Sequence, residues 1–150
     1  MYTKQEASKQ KQAFWTAFGQ YMQPVLSAEG SKVNWVNYKT GVPGIYFKMD
    51  ADNKHAEINI VIAPNDKEIQ ARHYQTLEQL KAMLHGVLGE QWQWEKEHED
   101  EYGKAQSRVG KTIDGVNINR TEDWPALISF FKTRIMALDE FWSSARYAFE

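Results

Sequence analysis

The sequence contains no cysteine, which excludes disulfides, thiolate metal sites and cysteine nucleophiles together. Its four histidines form no pair at metal-binding spacing, and the Gly-Val-Pro-Gly turn at residues 41–44 is too short to cradle a phosphate. Residues 1–12 are polar and rich in Lys and Gln, so this segment predicts neither a signal peptide nor a membrane span. These absences predict a cytoplasmic protein with no cofactor and no membrane partner.

The sequence also has no excess of positive charge, since it contains 18 Lys and Arg against 20 Asp and Glu and its formal net charge is −2. This balance argues against a protein that grips nucleic acid by bulk charge, although it allows a local basic strip. The length of 150 residues fits one domain covering residues 1–150. Aromatic residues make up 13% of the chain, including six Trp, and predict a core dominated by aromatic packing.

The end of the chain carries the clearest periodic pattern. Apolar residues recur there at alternating spacings of four and three, which predicts a long core helix with one unbroken apolar stripe. We expect Thr121 to cap this helix and Pro125 to lie in its first turn. The stripe consists of Trp124, Ile128, Phe131, Ile135, Leu138, Trp142, Ala145 and Phe149.

The first half of the chain predicts one helix followed by a three-stranded meander. Residues 3–23 contain good helix formers and stop at Pro24. Residues 33–38, 45–50 and 56–62 favour strands, because apolar or aromatic residues alternate with polar ones between runs of turn residues.

The second half predicts a helix, a hairpin and the terminal helix. Asn65 and Glu68 form a capping signal, and Gly89 fits a left-handed cap at the end of the same helix. Residues 92–95 and 105–109 then predict the two strands of a second hairpin. The order α-β-β-β-α-β-β-α predicts an α+β domain with three helices packed on an antiparallel or mixed sheet.

The densest carboxylate cluster follows Trp94, and its odd-numbered members share one face if the strand stays extended. Such a cluster either holds a hard divalent cation or protects the edge of the sheet from pairing, and we favour edge protection. Its members are Glu95, Glu97, Glu99, Asp100 and Glu101.

A second acidic set suggests a degenerate nuclease-like core of the PD-(D/E)xK type. Asp50 lies at the end of one predicted strand, Glu57 lies on the next, and Glu95 is a third candidate metal ligand. That motif needs Lys two residues after its Glu, whereas this chain has the neutral Asn59 there. An active nuclease is therefore the alternative rather than the leading hypothesis.

Aromatic, amide and cationic residues are interleaved on the first predicted strands. Aromatic rings beside Lys and Asn can stack unpaired bases or bind a peptide, although such rings more often fill a core. We predict a nucleic-acid or ligand-binding surface formed by Asn34, Trp35, Asn37, Tyr38, Lys39, Tyr46 and Lys48.

Several stretches spread over nearly the whole chain resemble one bacterial family, catalogued as domain of unknown function 4268. They include Phe14-Trp15, Asn34-Trp35, Asn37-Tyr38-Lys39-Thr40-Gly41, Met49-Asp50-Ala51-Asp52-Asn53, Asp100-Glu101-Tyr102-Gly103-Lys104, Asp123-Trp124-Pro125 and Ala137-Leu138-Asp139-Glu140-Phe141-Trp142. The resemblance implies no assigned activity. In longer relatives a similar domain follows a nuclease-like domain, which implies a nuclease-like protein as a partner.

Three functional hypotheses follow. The leading one is a non-catalytic binding or interaction module that is accessory to nucleic-acid processing. The second is a divergent metal-dependent nuclease. The third is a self-associating structural protein, in which Trp15, Phe130 and Phe141 form a homodimer face.

Overall fold

The first helix begins at a reciprocal cap. The computed structural model describes residues 3–150, and in it α1 spans Lys4–Met22. The Thr3 side chain accepts a hydrogen bond from the Glu6 backbone N–H, and the Glu6 carboxylate accepts one from the Thr3 N–H. This arrangement satisfies two backbone donors that the first turn leaves unpaired.

Four helices and four strands form an α+β fold, which confirms the predicted class, with one helix more than predicted. The helix expected over residues 65–88 is divided at Leu80, whose backbone lies outside the helical region, so it forms two helices. After α1 the elements are β1 (Ile45–Ala51), β2 (His55–Ile62), α2 (Lys67–Gln79), α3 (Lys81–Leu88), β3 (Gln93–Glu99), β4 (Ala105–Asp114) and α4 (Trp124–Ala145). Short 3-10 turns flank α4 at Thr121–Asp123 and Arg146–Phe149.

The sheet is antiparallel throughout, with strand order β1-β2-β4-β3. Ile60 of β2 lies opposite Phe47 of β1 and Val109 of β4, so these apolar residues share one face. Strand β3 forms one edge and carries the predicted acidic residues Glu95, Glu97 and Glu99. This is the position from which carboxylates oppose pairing with another chain.

One face of the sheet packs against the helices. Buried residues from every helix, such as Phe14, Leu77, Leu84 and Phe131, join Ile58 and its neighbours in a single apolar cluster. Within residues 3–150, the opposite face contributes no residue to that cluster. The fold therefore has two layers, with the helices on one side of the sheet.

The terminal stripe is confirmed as a core surface, because Phe131, Ile135, Leu138 and Trp142 are all buried. The capping residues were placed wrongly. Thr121 begins a 3-10 turn and α4 starts at Trp124, while Asp66 rather than Asn65 caps α2. The left-handed cap at Gly89 is confirmed by its φ of 70°.

The strand predicted at residues 33–38 does not form. This segment contains bends and turns, and Trp35 is only 3% exposed because its indole inserts toward the core. The indole N–H donates to the Val25 carbonyl at 2.9 Å. Alternating burial in this segment thus arises from one anchored side chain in a loop rather than from pairing in a sheet.

The aromatics proposed for a homodimer face are mostly internal. Phe130 and Phe141 are 5% and 1% exposed, and Trp15 packs against Phe131 with ring centroids 5.1 Å apart. Burial in the core leaves the two phenylalanines unavailable to a second copy. No helix in residues 3–150 is both long and apolar enough to span a membrane.

Candidate functional site

A cleft of about 310 Å³ lies between the loop of residues 27–39 and the carboxyl-terminal part of α4. The loop precedes β1, and α4 contributes the opposite wall through Asp139, Trp142, Ser143 and Arg146 at its end. The two walls are about a hundred residues apart in the chain, so tertiary packing alone brings them together.

Asp139 forms the base of this cleft. Its side chain is buried, with 5% of the residue exposed, and one carboxylate oxygen accepts the Tyr38 hydroxyl at 2.6 Å. The other oxygen accepts the Ala28 backbone N–H at 2.7 Å. A buried carboxylate needs such donors, since without them the loss of its hydration would be strongly unfavourable.

Burial and the contact with Asp139 keep the neighbouring phenol protonated. Burial, together with the hydrogen bond to Asp139 and the negative charge of that carboxylate, raises the pKa of Tyr38 well above its ordinary value. Tyr38 therefore remains a neutral donor at physiological pH and is not poised to act as a base.

A second set of contacts anchors the loop to α4. The Trp142 indole N–H donates to the Thr40 carbonyl at 2.7 Å. The Phe47 ring lies between the rings of Tyr38 and Trp142, at centroid distances of 5.1 and 5.5 Å. The cleft wall is consequently packed on the apolar core rather than suspended in solvent.

Cationic side chains surround the opening. Lys32, Lys39 and Arg146 line the cleft, with Glu29 and Asp139 as its acidic residues. Arg146 lies 3.2 Å from Glu29, and its guanidinium also stacks over the exposed Tyr147 ring at 5.0 Å. Because three cationic side chains outnumber two carboxylates, the opening is positively charged on balance.

The structure brings four of the seven predicted binding residues together, since Asn34, Asn37, Tyr38 and Lys39 all line the cleft. Trp35 does not join them, because its side chain is buried on the other side of the loop.

Tyr46 and Lys48 lie elsewhere, on the sheet face that the helices leave uncovered. The Lys48 ammonium is 5.4 Å from the centroid of the Tyr46 ring. Asn37 lines both the cleft and the shallow hollow that contains Lys48, so the two surfaces are neighbours.

The three candidate metal ligands do not meet. Asp50 and Glu57 are opposite each other in the β1–β2 register, whereas Glu95 is paired with Arg108 on the far edge. Arg108 lies opposite Val61, so Glu95 is displaced from Glu57 by four residues along the strands, or about 13 Å, and by two strands. Within residues 3–150, no group of three or more acidic or histidine side chains is arranged to hold a metal ion.

Ion pairs already engage two of these three carboxylates, Asp50 and Glu95. Lys11 lies 2.8 Å from Asp50. Glu95 accepts from the Arg108 guanidinium at 3.1 Å and lies 3.2 Å from the His98 ring. The acidic edge is thus partly neutralised by its own neighbours.

Lys32, Asp139, Ser143 and Arg146 are cleft residues that the sequence did not reveal. Asp139 offered one signal, because it interrupts the apolar face of a core helix, and an acidic residue in that position needs a partner. Nothing in the sequence indicated that this partner would be Tyr38.

A comparison with models of protein families shows which family the chain belongs to. A family model described as a domain of unknown function, DUF4268, matches residues 10–146. The chain belongs to the DUF4268 family. The match includes both walls of the cleft, so the cleft lies inside the DUF4268 domain itself. No curated protein and no solved structure matches the chain.

Proposed function

We propose that the protein is a non-catalytic binding module that holds a single-stranded segment of nucleic acid at the cleft. The observation that carries this proposal is the convergence of Lys32, Lys39 and Arg146 with the amides of Asn34 and Asn37 around one opening. Cations attract the phosphates, and amides offer both donors and acceptors to the edges of unpaired bases.

The shape of the opening favours a single strand over a duplex. The cleft is small, at about 310 Å³, and the exposed Tyr147 ring beside Arg146 offers a stacking surface at its margin. Stacking of a base on an aromatic ring stabilises such complexes by about 1–3 kcal/mol. A duplex hides its bases from both features.

The arrangement of polar groups supports binding rather than catalysis. Both Asp139 oxygens accept structural hydrogen bonds, and the Ser143 hydroxyl donates to the Glu140 carbonyl at 2.7 Å. A nucleophile needs an adjacent base to activate it, and here each candidate is engaged by the backbone or by Tyr38.

Fluorescence anisotropy with labelled single-stranded oligonucleotides tests the proposal. The Lys32→Ala/Lys39→Ala double variant should bind less tightly, and its log–log salt slope should fall by about 1.4, because two phosphate contacts are lost. The matched control is Lys67→Ala/Lys104→Ala, which removes two exposed cations outside the cleft. Absence of binding even at low ionic strength, or an equal loss in the control, would contradict the proposal.

We further propose that the bound strand is presented to a nuclease-like protein partner, as the longer relatives of the family suggest. This arrangement leaves the chemistry to the partner and explains why the cleft needs only to hold a strand. Co-purification with a nuclease-like protein that is lost in the Lys32→Ala/Lys39→Ala variant would indicate that the partner and the nucleic acid bind together.

The competing proposal is a divergent nuclease centred on Asp50 and Glu57, and their cross-strand pairing is the observation that favours it. Two carboxylates opposite each other can share a divalent cation. A titration with Mn²⁺, combined with a cleavage assay on the same oligonucleotides, separates the proposals. Cleavage that disappears in Glu57→Gln would favour the nuclease over the binding module.

A further inference from the structure

A second groove lies outside the cleft, between α1, the β1–β2 turn and the loop that follows β4. It measures about 670 Å³. Lys4 and Lys11 line it from α1, Asn53 lines it from the turn, and Asn119 and Arg120 line it from the loop. None of its lining residues lines the cleft.

Two hydrogen bonds to backbone carbonyls hold the groove walls in place. The Ile118 N–H donates to the Asp52 carbonyl at 3.0 Å, which joins the loop to the turn. The Gln10 side chain donates to the Asn119 carbonyl at 3.4 Å, which joins the same loop to α1. A groove with walls fixed in this way loses little conformational freedom when a ligand binds.

Asn119 is the unusual residue of this groove. It is only 8% exposed, and its Oδ1 atom is buried without a hydrogen-bond donor in the described part of the chain. Buried acceptors are nearly always paired, because an unpaired one loses its hydration with no compensation. An acceptor left in this state at the wall of a groove points to a ligand donor as its partner.

The charges of the groove favour an anion. Lys4, Lys11 and Arg120 face a single lining carboxylate, Asp52. The Asp52 carboxylate already accepts the Lys54 and His55 backbone N–H groups at 2.8 Å.

Two of these cations have acidic neighbours. Lys11 pairs with Asp50 at 2.8 Å, and Arg120 pairs with Glu122 at 3.8 Å, in both cases between exposed side chains. Exposed pairs of this kind are weak and exchange readily for another anion.

We propose that this groove binds a small phosphorylated molecule of the nucleoside monophosphate or sugar phosphate class. Its phosphate contacts Lys4 and Arg120, and one of its N–H or O–H groups donates to the Asn119 amide oxygen. The volume of about 670 Å³ lies within the usual range for pockets that hold small molecules. This site is independent of the proposed nucleic-acid cleft.

Isothermal titration calorimetry on the full chain tests the proposal with four probes: adenosine monophosphate, ribose 5-phosphate, adenosine and inorganic phosphate. We expect the two phosphorylated organic probes to bind more tightly than inorganic phosphate, and the tighter of the two identifies the class. Arg120→Ala should weaken both by about tenfold, whereas the control Lys67→Ala should leave both unchanged.

The Asn119→Ala variant separates the contribution of the Asn119 amide to binding from that of the positive charge of the groove. It should weaken the phosphorylated organic probes by about fivefold and leave inorganic phosphate unchanged, because the proposed donor to Oδ1 lies on the base or sugar, which inorganic phosphate lacks. Its melting temperature should not fall, since Oδ1 has no partner to lose.

Three results would overturn the proposal: no heat from any probe, tighter binding of adenosine than of adenosine monophosphate, or equal affinity of the parent and Asn119→Ala for every probe. None of these outcomes depends on oligonucleotide binding at Lys32 and Lys39, so the two proposals can fail separately.

Discussion

Tyr38→Phe should destabilise the fold measurably, because it removes one of the two donors to a buried carboxylate. The Tyr38 hydroxyl donates to Asp139 at 2.6 Å, and the acceptor residue is 5% exposed. A hydrogen bond to a charged group contributes about 1.5–3 kcal/mol when its partner stays buried. The Ala28 N–H remains in place at 2.7 Å, so the carboxylate keeps one donor.

We therefore expect a loss of about 2 kcal/mol in the free energy of unfolding. For a domain of 150 residues this corresponds to a fall of about 4–8 °C in Tm. Asp139→Asn should show a loss of similar size, because an NH₂ group replaces one carboxylate oxygen and cannot accept the hydrogen bond that this oxygen received from Tyr38 or Ala28. The double variant should lose less than the sum of the two single variants, because both remove the same bond.

Urea denaturation followed by circular dichroism measures these losses, with Tyr102→Phe as the control because Tyr102 is 86% exposed. A Tyr38→Phe loss below about 0.5 kcal/mol, or strictly additive losses in the cycle with Asp139→Asn, would refute the view that this bond anchors the loop.

Two further variants test the packing and the pH response. Gly110→Ala places a Cβ 2.7 Å from the Ile58 carbonyl oxygen, so it should lower the free energy of unfolding by about 1–3 kcal/mol. Gly86→Ala, in open space on α3, should raise it by about 0.5–1 kcal/mol. Equal Tm values for the two variants would contradict the close approach at Gly110. Burial, followed by the charge of Arg72, lowers the pKa of His73 below 6.5, so the unfolded state takes up more protons and stability should fall as pH drops from about 6.5 toward the folded pKa. His73→Gln should flatten this decline, measured as the urea midpoint at each pH. A variant with the same pH profile as the parent would contradict the role of His73.

The sequence predicted the elements whose apolar residues recur with a simple period along the chain. The stripe from Phe131 to Trp142 is a core helix, and the alternation in residues 56–62 is a buried strand, because each pattern matches the geometry of its own element. The loop at residues 33–38 has similar alternation but a different cause. Trp35 is buried by a contact with Val25, ten residues earlier, which no local period records.

For the same reason, the sequence predicted only one of the two walls of the candidate site. Asn34, Asn37, Tyr38 and Lys39 stood out locally as an amide, aromatic and cationic cluster, and they do line one cleft. The opposite wall comes from the end of α4, where the sequence predicted only a core helix and gave no sign that Arg146 would line a cleft. Pairing of such distant segments depends on tertiary packing, which spacing within a single segment does not encode.

The bonds between the loop and α4 also have a consequence for biosynthesis. Asp139 and Trp142 lie roughly a hundred residues beyond the loop groups they hold, Tyr38 and Thr40. During translation the loop emerges from the ribosome well before α4, so it remains without these anchors until the last helix is made. The cleft therefore assembles only after α4 is made, later than local elements such as the β1–β2 hairpin, whose contacts are close in sequence.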